Sequence, residues 1–455
     1  MRLGRIVVVV VLAGAVAGGV SACLAGSAAD DVGPLELSVL SSRPDMVTGG
    51  DALLEVDLGG RDSTAVNVTI NGKDVTAAFR QVQNGRLVGF VGELEFGVND
   101  VMVSVETDTA SHTLTLVNHA IAGPVFSGPH EQPFICETDT FKLLSGETLG
   151  ASLDQDCSVA RRVDYYYRSG ADGTFQPLQD PGQVPASVET VTTLAGNTVP
   201  YVVRIETGTI NRAVYQIAML HVPEAGDTAL SPWTHSPGWN GRLIYTFGGG
   251  CVNGWYRQGN STGGVTDDVM LRHGYAVASA TLNVYGNNCN DLLAAETMMM
   301  VKERFIEAYG VPRYTIGWGC SGGSYQNHQI ADNYPGLLDG IIPGCSFSDV
   351  GSGTIPMITD ARLLERYFRD EAATHFALDE QRAVAGFLKL ETMSNVSVNA
   401  GRINVSEFCP DVLPEEQRYH PTDNPGGVRC DVYSHYINVY GPDSESGYAR
   451  RPLDN

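Results

Sequence analysis

Ser321 stands in the run Gly319-Cys320-Ser321-Gly322-Gly323, directly after the largely apolar stretch Tyr314-Thr315-Ile316-Gly317-Trp318. The spacing fits G-x-S-x-G. A serine hydroxyl is a weak nucleophile unless a base can reach it. A tight strand-to-helix turn exposes the Oγ at the expense of strained φ/ψ. Glycines on either side let neighbouring backbone pass without Cβ clashes. Residues 324–332 can continue as a helix until Pro335, with its positive N-terminal end directed at the serine, where an oxyanion would form. The five-residue pattern is common, and a glycine-rich turn with an incidental serine spells the same letters. A second glycine run gives it context. Gly248-Gly249-Gly250-Cys251 follows a strand-like stretch about 70 residues earlier. Gly249, Gly250 and Gly322 are therefore the expected oxyanion donors, and the implied chemistry is attack of Ser321 on an acyl carbonyl.

Such chemistry needs a base and an acid later in the chain. The histidines after Ser321 are His328, His375, His420 and His435. His328 lies seven residues along the helix and faces along it. The other three follow no recognisable core strand. His435 and Asp431 are the fallback base and acid. No C-x-x-C spacing occurs, so no zinc site is expected, and the chemistry requires no metal or organic cofactor.

The elements that must position these residues are read as follows. Residues 1–23 are a signal segment and 24–33 a tether. Residues 34–120 alternate in short β-branched runs, with a hairpin signal at Asn71-Gly72, and predict a small immunoglobulin-like β-sandwich. Residues 121–200 are a connecting region. It holds the phrase Gly123-Pro124-Val125-Phe126-Ser127-Gly128-Pro129-His130 and a tyrosine-rich strand at 162–168. From Tyr201 strands alternate with helical segments through residue 350. An amphipathic helix is predicted at 291–309, with an apolar stripe of Ala294, Met298, Val301, Phe305 and Ala308 and stops at Gly310 and Pro312. That order predicts a mostly parallel sheet with helices on both faces. Residues 351–455 read as a lid-like insertion with helices near 358–372 and 379–392. Two or three closing β/α units are not recognisable, so the chain is expected to be C-terminally incomplete, with little or no esterase activity.

Residues 201–350 resemble the α/β-hydrolase superfamily. The Cys320-Ser321 pair, with a large lid after the next strand, resembles the tannase and feruloyl esterase branch. The layout with a β-rich N-terminal part and the Gly123–His130 phrase is similar to a family of large exported bacterial proteins of unknown function. The resemblance implies the fold class α/β, an α/β-hydrolase core preceded by a β-sandwich and followed by a partial lid. It also implies a carboxylic-ester serine hydrolase acting on a small or oligomeric ester. In tannase-like enzymes the cysteine before the serine is bridged to a cysteine beside the catalytic histidine. This sequence has no His-Cys dipeptide, which leaves Cys345 as a partner for Cys320.

The net charge of −23 argues against nucleic acid as a partner. Arg2 and Arg5, an apolar stretch at 6–16, and Val20-Ser21-Ala22-Cys23 resemble a lipobox, with Cys23 lipidated and holding the protein on a membrane. Ordinary signal cleavage near Ala28 or Ala29, giving a secreted or periplasmic protein, is the alternative. Eight further cysteines suit an oxidising compartment. Nearest-neighbour pairing would give Cys136–Cys157, Cys251–Cys289, Cys320–Cys345 and Cys409–Cys430, which sequence alone leaves open. The rival function is a non-catalytic surface lipoprotein with a vestigial core and a β-domain that binds a partner.

Overall fold

The computed structural model describes residues 32–427 apart from 83–84, 108, 131–133, 223–229, 252–255, 348–352, 354, 373–374, 399–413, 419, 421 and 426. The N-terminal part is built from β1 (Glu36–Val39), β2 (Val47–Thr48), β3 (Ala52–Asp57), β4 (Val66–Ile70), β5 (Lys73–Asp74), β6 (Phe79–Gln81), β7 (Arg86–Val91), β8 (Gly97–Val105) and β9 (Ser111–His119). They form one sheet in the order β1-β3-β7-β6 and another in the order β2-β9-β8-β4-β5. Alternating side chains, including Leu54, Val56, Val68, Val101, Val103 and Leu116, bury themselves in a shared core. Asn71 and Gly72 join β4 to β5 with φ of 51° and 81°, the pair of positive values a two-residue hairpin turn requires.

The large sheet contains β10 (Arg162–Arg168), β11 (Phe175–Pro177), β14 (Val202–Ile210), β15 (Ala213–Leu220), β16 (Arg242–Phe247), β17 (Ala276–Ala280), β18 (Tyr314–Cys320) and β19 (Gly340–Gly344), while β12 (Thr190–Thr192) and β13 (Thr198–Pro200) make a separate hairpin. The order is β11-β10-β14-β15-β17-β16-β18-β19. Strands β11 through β17 pair antiparallel, and only β17-β16-β18-β19 pair parallel. The expected mostly parallel α/β-hydrolase core is therefore corrected. The sheet is mixed, antiparallel pairs predominate across the molecule, and six α-helices accompany them among the described residues. The physical reason is at Asn211-Arg212. These two residues, with φ of 53° and 61°, connect β14 to β15 directly. A two-residue loop can only return antiparallel, because a parallel neighbour needs a crossover of a dozen residues or more.

Helix α1 (Asp268–Arg272) packs on β15 and β17, and its Leu271 joins Val203, Ala218 and Val277 on one sheet face. The other face is covered by α2 (Asp291–Tyr309) and α3 (Gly322–Asn333). Asn290 caps α2 by accepting from the Leu293 N–H, and Gly310 at φ 93° ends it. The predicted stripe is too narrow for this helix. Ala294, Met298, Val301 and Phe305 are buried, but so are Glu296, Glu303 and Glu307 on its other sides. These carboxylates face a second layer. Glu296 Oε2 accepts from the N–H groups of Val125 (2.8 Å), Phe126 (2.6 Å) and Ser127 (2.7 Å), and Oε1 accepts from the Ser127 hydroxyl (2.8 Å). The Gly123–His130 phrase is thus a backbone cradle closed on a helix carboxylate. Glu303 accepts from the Thr48 N–H at 3.0 Å, tying the N-terminal sheets to α2.

After β19 come α4 (Ile355–Arg366), a π-helical turn (Tyr367–Glu371), α5 (Leu378–Ala385) and α6 (Leu390–Val398), which share a small core of Ala361, Phe368 and Met393. Among the described residues no helix is long and apolar enough to cross a membrane. Disulfides join Cys136–Cys157, Cys251–Cys289 and Cys320–Cys345, bonds that persist in oxidising compartments. Cys23, Cys409 and Cys430 lie outside the described residues.

Candidate active site

Strand β18 ends at Cys320 and α3 begins at Gly322, so Ser321 alone makes the turn between them. Its φ of 60° and ψ of −120° lie in a region that residues with a Cβ seldom occupy. The surroundings hold it there. The Ser321 N–H donates to the Gly344 carbonyl at 3.1 Å, and its carbonyl accepts from the Tyr325 N–H at 3.1 Å. The Cys320–Cys345 bridge ties the preceding residue to the end of β19. Ser321 itself is exposed.

The motif glycines are where backbone passes backbone. A Cβ on Gly323 would lie 2.3 Å from the Phe247 carbonyl oxygen, and one on Gly319 would lie 2.8 Å from the same atom. The strand-to-helix turn at Ser321, the elbow, therefore sits directly on the end of β16, from which the glycine loop starts. A Cβ on Gly322 would meet the Gly250 carbonyl oxygen at 2.5 Å and the Gly250 nitrogen at 3.1 Å. One on Gly249 would lie 3.5 Å from the Ser321 Cβ. The structure thus brings Gly249, Gly250, Ser321 and Gly322 together. Among the described residues, the N–H groups of Gly249, Gly250 and Gly322 donate to no protein acceptor. The loop is fixed from behind. The Gly286 N–H donates to the Gly249 carbonyl at 2.8 Å, and the Cys251–Cys289 bridge ties its end to the segment leading into α2. Unpaired N–H groups at the start of α3 and along a glycine loop favour negative charge.

The wall beside the elbow contains residues the sequence did not single out. Asp291 is held by the hydroxyls of Tyr285 and of Tyr325 (3.4 Å). Burial raises the Asp291 carboxyl above its ordinary range, against the lowering effect of the two tyrosines. Ser324 and Ser346 share a hydrogen bond at 2.7 Å, and Ser346 lies 3.5 Å from His328 Nε2. Nothing in their spacing marks these groups as neighbours, because they come from separate elements.

Among the described residues no histidine hydrogen-bonds the Ser321 hydroxyl. His328 faces Ser346 instead. His420 Nδ1 lies 3.1 Å from its near neighbour Asp423, and His375 follows the π-helical turn. His435 and Asp431 lie outside the described residues. No group of His, Cys, Asp or Glu among the described residues is arranged to hold a metal ion. A search of curated proteins finds no match for the chain. A family model described as a tannase-like family of unknown function matches residues 37–455, and the chain belongs to that family.

Proposed function

We propose that the protein is an exported serine hydrolase of the carboxylic-ester type. The observation that carries this reading is the exposed Ser321 at φ 60°, ψ −120°, with the Gly249–Gly250 loop packed against the Gly322 N–H. Membership of a tannase-like family supports it. In the proposed mechanism the Ser321 Oγ attacks the acyl carbonyl carbon and passes its proton to a histidine. The carbonyl oxygen takes up negative charge between Gly322 and the Gly249–Gly250 loop, and the alkoxide or phenoxide leaves with that proton. Water then hydrolyses the acyl-serine by the same route. His435 and Asp431 are the proposed base and acid. Cys23 is the proposed lipid attachment point, with the ester substrate reaching the protein at a membrane surface. Reaction with a fluorophosphonate probe followed by peptide mapping tests the reading. A single adduct on Ser321, absent in Ser321→Ala, is expected. An unlabelled, folded protein overturns it.

A further inference from the structure

A cavity of about 370 Å³ lies where the N-terminal sheets, α2 and the turn after α3 meet. It is separate from the elbow. Arg313, which lines it, immediately precedes the first residue of β18, whereas Ser321 follows the last. Seven strand residues put the two ends about 20 Å apart. The walls combine Met299 and Ile306 of α2 with Phe126 and Tyr334, whose rings stack at 5.1 Å and present a flat apolar surface.

The charges of the cavity are unequal. Arg43 at its rim is paired with Asp45 at 3.1 Å. Asp339 accepts from the Thr315 N–H at 2.7 Å. Lys302 reaches in from α2, and its ammonium donates to the carbonyls of Gly336 (2.9 Å) and Leu337 (2.8 Å) but makes no ion pair among the described residues. Burial lowers the Lys302 pKa, with Asp339 working against that shift. Arg313 is exposed at the mouth and likewise makes no ion pair among the described residues. Lys302 and Arg313 against Asp339 leave one surplus positive charge beside an apolar, flat-walled space. An ammonium partly withdrawn from water and bonded only to two neutral carbonyls is improved by an anion, and a cavity of this size suits a small molecule.

We propose that this cavity is a binding site for a small monoanion, a carboxylate carried on a flat apolar body. The carboxylate lies between Lys302 and Arg313, and the body lies along Phe126, Met299 and Ile306. The site is distinct from the ester-cleaving one and holds whether or not Ser321 is a nucleophile. The test is calorimetric titration of the full chain with sodium benzoate, with neutral benzamide as the comparison. Benzoate should bind, and benzamide should bind at least about tenfold more weakly, as expected when a charged pair in a partly desolvated site is lost. Lys302→Met should weaken benzoate by a similar factor. Because it also removes the two carbonyl contacts, Arg313→Ala and Val311→Trp serve beside it. Both residues are exposed, and the tryptophan narrows the mouth. All four proteins are checked by thermal melting. No benzoate binding overturns the proposal. So does equal binding of benzamide, or benzoate affinity unchanged in both Arg313→Ala and Val311→Trp.

Discussion

Replacing Gly249 by alanine separates what the glycine loop does for chemistry from what it does for packing. An added Cβ would lie 3.1 Å from the Cys320 carbonyl oxygen, 3.5 Å from the Ser321 Cβ and 3.7 Å from the Gly322 nitrogen. The closest of these is tight but needs a shift of only a few tenths of an ångström. The fold should therefore survive. The methyl, however, would stand beside the Gly322 N–H, in the space proposed for the substrate's carbonyl oxygen. Losing one oxyanion donor typically costs about 10²–10³ in rate, roughly 3–4 kcal/mol of transition-state stabilisation. Gly250 offers the contrast. Its φ is 104°, and a Cβ there would lie 2.5 Å from the Gly286 Cα, which is backbone and cannot swing away. Gly250→Ala should lose stability as well as rate, by an estimated 1–3 kcal/mol from backbone strain alone. The assay is the second-order rate of fluorophosphonate labelling at Ser321, which needs no known substrate, read beside a urea melt. The expected result is slower labelling of Gly249→Ala by about a hundredfold at nearly unchanged stability. Labelling of Gly249→Ala at the wild-type rate with an unchanged melt would refute the assignment of this loop to the oxyanion site.

Glu296→Ala strands three backbone N–H groups and the Ser127 hydroxyl, so a loss of about 3–5 kcal/mol in urea denaturation is expected. Glu296→Gln keeps one oxygen for the three N–H groups and should lose less than half as much. Burial lifts Glu303 from 4.5 to about 8, so its folded form holds a proton that the unfolded chain releases. Its contribution is full below pH 4.5 and is lost as pH rises through about 8, and Glu303→Gln should flatten that fall in urea melts at pH 5 and pH 8. The Cys320–Cys345 bridge closes a span of 25 residues, and Cys320→Ser with Cys345→Ser should lower stability by about 3 kcal/mol and slow labelling of Ser321. Cys23→Ala should move the protein from the membrane fraction to the soluble one, and an unmodified wild-type N-terminus by mass spectrometry would contradict the lipid anchor.

What the sequence made legible was local. Glycines forced by close backbone approach, at 250, 319, 322 and 323, are visible because a Cβ there would overlap backbone, whereas Gly249 has room for a small one. The bounds of α2 at 291–309 are visible because Gly310 and Pro312 stop a helix within one turn of chain. Strand direction is not local. A turn is legible between Gly208 and Asn211, but the observed one falls at Asn211-Arg212, and a turn in the letters does not by itself set the direction of every strand that follows. Strands separated by helical segments suggest a parallel sheet throughout, whereas in the large sheet parallel pairing joins β17, β16, β18 and β19 alone. The glutamates of α2 failed for a related reason. Periodicity assigns polar residues to the solvent side. Here that side is covered by chain more than a hundred residues earlier, and its backbone N–H groups and hydroxyls meet the carboxylates. The cavity around Lys302 was invisible for the same cause, since its walls come from four separate stretches.

The same second layer bears on Ser321, the proposed nucleophile. Helix α3 starts at Ser321 and must be aimed for its first N–H groups to face the glycine loop. Near its start Tyr325, and one turn further on Gln329, hydrogen-bond Asp291, the first residue of α2. At its end, Tyr334 stacks on Phe126, whose own N–H is held by Glu296 of α2. Both ends of α3 are therefore referenced to α2, and through Glu303 and Thr48 to the N-terminal sheets. An oxyanion donor displaced by about an ångström loses much of its value, because hydrogen-bond strength falls steeply with distance and angle. Polar groups of α2 that never approach the substrate thus take part in the geometry of Ser321. A variant such as Glu296→Gln should accordingly slow Ser321 labelling more than its effect on stability alone would account for. Wild-type labelling kinetics in that variant would show that α3 is aimed by the sheet and the Cys320–Cys345 bridge alone.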